Sequence, residues 1–160
     1  MVIDDDLRKN VSNVGRWLKG ELKTSIMFSG KCGNGKTTMV KMLQKAVPML
    51  TQNRYYVSFV SAMDLVDMAQ NAERDYRRLK AAQILAIDDV GAEPSVVKRY
   101  GNELSPTTDI IYYRYDNRMP TIISTNLRKS DIENVYGERI SDRVNGFFTN
   151  LVFKQTSYRK

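Results

Sequence analysis

Residues 30–38 read Gly-Lys-Cys-Gly-Asn-Gly-Lys-Thr-Thr, the spacing G-x-x-x-x-G-K-T. No other stretch constrains the fold as strongly, because this pattern works only between a strand and a helix. Ile26-Met27-Phe28 with Ser29 reads as the strand before it, and Thr38-Met39-Val40-Lys41-Met42-Leu43 as the helix start after it. Gly30, Gly33 and Gly35 carry no Cβ, so the backbone can turn sharply and approach an anion closely. Successive N–H groups then point inward as a nest, and the helix adds the positive end of its dipole. Lys36 is placed to reach β- and γ-phosphates, and the Thr37 hydroxyl to hold Mg²⁺. Gly30, Lys31, Cys32, Gly33, Asn34, Gly35, Lys36, Thr37 and Thr38 are thus the nucleotide-binding candidates, with ATP and Mg²⁺ as the expected ligands. Cys32 stands at a variable position of the loop and reads as a small filler.

Ile84-Leu85-Ala86-Ile87-Asp88-Asp89 is the second informative run. A short apolar stretch ending in two acids reads as a parallel strand buried on both faces. Its acids emerge at the carboxyl edge of the sheet, where open α/β folds bind ligands. Asp88 is placed to hold Mg²⁺, directly or through water, and Asp89 to orient or deprotonate an attacking water. Glu93 reads as a further acid of the site or as an acid at a helix N-terminus, the latter favoured. Pro120-Thr121-Ile122-Ile123-Ser124-Thr125-Asn126 is another buried strand with polar residues at its end. An amide there can bond both a water and a γ-phosphate, so Asn126 is the candidate phosphate sensor; an Asx turn is the plainer alternative.

Composition narrows the classes. At 160 residues a single domain is expected. One cysteine excludes an internal disulfide framework and suits a reducing compartment. With no histidine, imidazole metal sites and His-based catalysis are excluded. No apolar run is long enough to span a bilayer and the N-terminus shows no signal-peptide pattern, so a cytoplasmic protein without a membrane partner is expected. The net charge of +7 suits a polyanionic partner such as nucleic acid.

Other elements follow from local pattern. Asp4-Asp5-Asp6 opens an amphipathic helix through Trp17 and Leu18, expected to pack beside the first strand, with a role over an adenine left open. The first strand is expected over 23–29 and the second over 55–60. The helix after the glycine loop is expected to end near Val47-Pro48. Capping patterns stand at Ser61/Asp64, Ser105-Pro106/Asp109 and Ser130/Glu133. Met63, Leu65, Val66 and Met68 read as packing residues, and Arg114 and Arg118 as surface or interface cations. Arg74-Asp75-Tyr76-Arg77-Arg78-Leu79-Lys80 is either a solvated helix face or a basic, aromatic element touching a nucleic-acid backbone. Arg139 and Arg143, four apart, share one face of a helix closed by Asn145-Gly146. A last strand follows over 147–153.

Together these motifs resemble AAA+ ATPases, and more narrowly the DnaC/DnaI-type bacterial helicase loaders and their IstB-like relatives. Phe28 to Thr37, Ile87-Asp88-Asp89-Val90-Gly91-Ala92-Glu93, Pro120 to Asn126, Gly137-Glu138-Arg139-Ile140-Ser141-Asp142-Arg143-Val144 and Ser157-Tyr158-Arg159 carry the resemblance. It implies an α/β, P-loop AAA+ core over 1–160: a parallel five-stranded sheet flanked by helices, an N-terminal helix over 1–20 and no C-terminal lid. The loaders carry an upstream helicase-binding module, whereas this sequence begins almost at the AAA+ core, so that module is expected to be absent here. The resemblance implies that Arg143, or second Arg139, is an arginine finger acting on a neighbouring subunit of a homo-oligomer. It places a single-strand-DNA-binding helical insertion over roughly 63–80, which makes Arg74, Tyr76, Arg77, Arg78 and Lys80 the DNA-binding candidates. The implied function is the ATP-hydrolysing core of a loader that assembles on single-stranded DNA and serves a replicative helicase, directly or through an adaptor. An IstB-like transposition helper, a P-loop small-molecule kinase and a nucleotide-dependent scaffold are the alternatives. Asp89 stands where many AAA+ proteins have glutamate, one methylene longer, so slow hydrolysis is expected.

Overall fold

A computed structural model describes residues 5–154. Three apolar runs are buried along nearly their whole length: β1 (Ser25–Gly30), β3 (Ile84–Val90) and β6 (Thr121–Thr125). Strands hidden on both faces need helices on both sides, which favours a parallel sheet. β2 (Val57–Ser61) and β7 (Phe148–Phe153) complete it in the order β2-β3-β6-β1-β7, every neighbouring pair parallel.

Side chains alternate across these strands and feed two cores. Ile26, Phe28, Ala86, Ile122 and Leu151 point to one face, with Val14 and Trp17 of α1 (Asp5–Leu18) and Met39, Val40 and Leu43 of α2 (Lys36–Leu50). Met27, Leu85, Ile87 and Ile123 point to the other. There they meet Leu65 of α3 (Ala62–Asn71), Ile110 of α5 (Pro106–Asp116), Ile132 of α6 (Lys129–Tyr136) and Ile140 of α7 (Glu138–Phe147). α4 (Glu73–Lys80) has no fully buried residue and lies at the surface, held by the inward turn of Tyr76 and Leu79. A small antiparallel hairpin, β4 (Val97–Arg99) and β5 (Asn102–Leu104), stands apart from the main sheet. No helix among the described residues is long and apolar enough to cross a membrane.

Several local expectations are corrected. α1 packs over both β1 and its neighbour β7: Val14 and Trp17 share a core with Ile26 and Phe28, Asn10 Nδ2 donates to Val152 O at 3.3 Å, and Trp17 Nε1 reaches Thr24 O, just before β1, at 3.0 Å. α2 continues through Pro48 to Leu50, although Pro48 has no N–H to give Gln44 O, and the Thr51 and Asn53 N–H groups close its end onto Val47 O and Pro48 O. α6 is capped at Arg128, two residues ahead of the expected Ser130, and starts at Lys129: Asp131 accepts the Arg128 N–H at 2.9 Å. α7 runs on through Gly146 to Phe147 and enters β7 directly. Ser61 caps α3 as its sequence indicates, accepting from the Asp64 N–H at 3.0 Å, whereas Met63 is half exposed. Pro106 opens α5, without a side-chain cap from Ser105.

Arg114 is the largest departure. It is not a surface cation: its exposure is 0%. Its guanidinium donates to Thr121 Oγ1 (2.8 Å), Lys80 O (3.0 Å), Ala82 O (2.8 Å), Gln83 O (3.4 Å) and Pro120 O (2.7 Å). Five donors in one plane meet five oxygens, which only a guanidinium can do. Burial lowers its pKa to about 10, so it stays charged at neutral pH. It clasps the segment between α4 and β3 to the start of β6.

Candidate nucleotide site

β1, β3, β6 and β7 run parallel and end at one edge, with Ser29 beside Thr125 and Gly30 beside Phe153. The loop between β1 and α2 sits on that edge. Gly30 has φ 144°, and a Cβ there would come within 2.3 Å of Phe153 O. Only glycine lets β7 press this close. Asn34, 1% exposed, locks the contact from the other side: its Nδ2 donates to Phe153 O at 2.8 Å. Asn34 therefore shapes the loop rather than offering its side chain to a ligand. Cys32 is exposed on the loop rather than packed as a filler.

Lys36 is 4% exposed and curls back over its own loop. Its Nζ donates to Gly30 O and Lys31 O at 2.8 Å, to Asn34 Oδ1 at 3.1 Å and to Asn126 Oδ1 at 2.8 Å. Burial lowers its pKa, partly offset by the negative charges of Asp89 and Asp88. An ammonium held by four neutral oxygens is electrostatically undersupplied, and a phosphate oxygen is a far stronger partner for it.

The two aspartates part company at the end of β3. Asp88 is 6% exposed; its Oδ1 accepts from Thr37 Oγ1 at 3.1 Å and from Ser124 Oγ. The β3–β6 register slips between Ile87 and Val90, and Asp89 takes φ 56°. The slip is pinned by the Asp89 N–H donating to Ser124 Oγ at 2.9 Å. Asp89 thus leaves the strand line and lines the same cavity of about 260 Å³ as Lys36, Thr37 and Asn126, with Leu7 and Met42 as an apolar wall. Lys36, Thr37, Asp89 and Asn126 thus line one cavity, and Asp88 joins them through its bond from Thr37.

Other candidates lie elsewhere. Arg139 is exposed in the first turn of α7. Arg143, one turn on, lies 4.2 Å from the Tyr112 ring and 5.4 Å from that of Tyr115, its Nη1 donating to Arg139 O at 3.2 Å. Arg74, Arg77 and Arg78 are exposed on α4. Tyr76 is turned inward, its hydroxyl donating to Pro106 O at 2.9 Å and its pKa raised first by burial, then by Asp109. Lys80 lies 4.8 Å from the Tyr113 ring. Ser157-Tyr158-Arg159 falls outside the described residues.

Glu93 is neither a helix N-terminal acid nor part of the cavity lining. It is 6% exposed and accepts from the Gly91 N–H (2.8 Å), Thr107 Oγ1 (2.8 Å) and Tyr136 OH. No helix starts at it, so the dipole argument has no object; instead it ties the turn after β3 to α5 and α6. Sequence reasoning missed Ser124 as the residue that organises both aspartates. Its signal was a hydroxyl next to the last residue of a strand buried throughout, where a polar group needs a partner.

No family model and no curated protein matches the chain by sequence. Solved structures do match by shape. The DnaC helicase loader superposes with a TM-score of 0.75 at 19% identity, over 96% of this chain and 93% of that one. DnaI gives 0.72 at 18%, over 95% and 87%. DnaA from Aquifex aeolicus, solved with AMPPCP bound, gives 0.69 at 20%, over 94% of this chain and 48% of that one. The chain has the AAA+ fold, in the form seen in the DnaC and DnaI helicase-loader structures.

Proposed function

We propose that this chain binds ATP with Mg²⁺ and hydrolyses it slowly, as the core of a loader that assembles on single-stranded DNA and serves a replicative helicase, directly or through an adaptor. The observation that carries the reading is the pair of bonds Lys36–Asn126 and Thr37–Asp88. They join the glycine loop to the ends of two different strands, so one γ-phosphate can meet the cation, the acids and the amide together. The likeness to structures described as helicase loaders and to a nucleotide-bound DnaA supports the replication setting.

The oxygens of Thr37 and Asp88, 3.1 Å apart, suit a hard cation such as Mg²⁺. When bound, that ion neutralises charge on phosphate oxygens. Lys36 binds the β- and γ-phosphates. Asp89 orients the attacking water, and Asn126 fixes its approach. Arg143 or Arg139 of a neighbouring copy supplies the remaining positive charge, so turnover reports assembly.

The test is nucleotide binding and turnover with single-stranded and duplex DNA. Wild type binds a fluorescent ATP analogue, and Lys36→Ala weakens that binding by about a hundredfold, the worth of one charged hydrogen-bond partner. Single strands raise turnover. Retained affinity in Lys36→Ala would overturn the phosphate assignment. Stimulation by duplex alone would move the function to a transposition helper.

A further inference from the structure

The β4–β5 hairpin turns through Tyr100 and Gly101, with φ 50° and 82°. Glycine accepts this left-handed geometry freely, whereas for tyrosine it costs about 1 kcal/mol. Tyr100 is also 90% exposed, the most open large hydrophobic side chain among the described residues. An aromatic ring held out in water on a strained residue serves neither core.

The hairpin is fastened to α3 and α4. Gln70 Nε2 donates to Lys98 O at 2.9 Å, and Arg99 Nη1 to Ala69 O at 3.3 Å. Arg99 also pairs with Glu73 at 3.0 Å, and the other Glu73 oxygen is taken by Arg77. The two arginines hold the Glu73 carboxyl below its usual range. One carboxylate therefore joins the hairpin to the basic face of α4. Arg74 and Arg78 on that face form no ion pair among the described residues. The Arg99 guanidinium stands 5.4 Å from the Tyr100 ring, and Lys98 faces Glu103 across the hairpin.

We propose that the hairpin tip and α4 form one face for single-stranded nucleic acid, with Tyr100 the platform on which a base stacks and Arg74 and Arg78 the phosphate contacts. This rests on the single-strand reading above and moves its aromatic contact from the inward-turned Tyr76 to Tyr100. Stacking on an exposed ring is open to a single strand, whose bases are free, and closed to a duplex, whose bases already stack on one another. The phosphate contacts serve both. Tyr100 is then the residue that separates the two forms.

The test measures binding of a labelled oligothymidylate and of a duplex, with ATP, across a salt series. Tyr100→Ala weakens the single strand about tenfold, within the range for one stacked base. The loss is confined to the single strand and leaves the salt slope unchanged, because stacking releases no counterions. Arg74→Glu with Arg78→Glu flattens the slope for both forms. Tyr100→Trp keeps affinity, and its exposed indole emission is quenched by the oligonucleotide. The single native tryptophan, Trp17, is 8% exposed and serves as the unquenched background. If Tyr100→Ala binds the single strand like wild type while the arginine reversal weakens it, the stacking role falls and the single-strand reading stands. If wild type binds neither form, both fall.

Discussion

Asp89 holds φ 56° at the register slip beside Ser124. Aspartate tolerates that conformation better than longer side chains do, since its short carboxylate can bond locally. Two demands therefore meet at one residue: the slip aims the side chain into the nucleotide cavity, and the geometry selects the shorter acid. Asp89→Glu should separate them. The longer side chain reaches further toward the γ-phosphate and turnover rises, while the left-handed backbone costs about 1 kcal/mol and lowers Tm by about 2–4 °C. Asp89→Asn keeps Tm and abolishes turnover. A glutamate variant neither faster nor less stable would show that neither reach nor strain shapes this position. The sequence made the acid visible and hid the strain, because nothing in Ile87-Asp88-Asp89-Val90 announces where the ladder slips.

Arg114 shows what an element needs beyond its own pattern. α4 has no fully buried residue, so its place depends on its ends. The carbonyls of Lys80, Ala82 and Gln83 converge on one guanidinium that also grips Pro120 and Thr121. Arg114→Met leaves these acceptors buried and short of donors. The expected loss is about 3 kcal/mol or more, read by urea unfolding. Hydrogen exchange at 80–83 should rise first, before β3 itself loosens. Arg114→Lys should recover only part, because an ammonium has three donors and no fork. Full stability in Arg114→Met would refute the clasp. None of this was readable from Tyr113-Arg114-Tyr115, which looks like any cation on a helix; its acceptors arrive only through folding. The same limit hid the hairpin, whose three-residue strands carry no apolar alternation, and the role of Glu93, whose partners lie 14 and 43 residues downstream. The buried strands were legible because runs such as Ile122-Ile123 have one plausible setting, and the glycine loop because its residue spacing is its mechanism. Helix ends were less so: Pro48 and Gly146 look like stops, yet α2 runs on to Leu50 and α7 to Phe147, so the packing of each helix outweighs its local breaker.

At the scale of the molecule the open question is where the last positive charge comes from. Lys36 is already committed to its loop and to Asn126, and neither Arg139 nor Arg143 lines the cavity. A second copy is the natural donor if hydrolysis is to depend on assembly. The two arginines differ in what must move. Arg139 is exposed, whereas Arg143 must leave two tyrosine rings, at a cost of about 0.5–2 kcal/mol. Replacing Arg143 by alanine should therefore lower Tm, and replacing Arg139 should not, so the finger and the packing residue are separable by stability as well as by rate. Mixing decides whether the charge is lent. Lys36→Ala subunits, about a hundredfold weaker for nucleotide, stay empty at limiting ATP but keep their arginines; subunits lacking the finger bind nucleotide but cannot complete their own site. Each is inactive alone. Together on single-stranded DNA, the first can complete the second, and turnover should return to a fraction of wild type that grows with the share of Lys36→Ala subunits up to equal mixing. A mixture as inactive as its parts would mean that no charge crosses between copies and that the site completes itself within one chain.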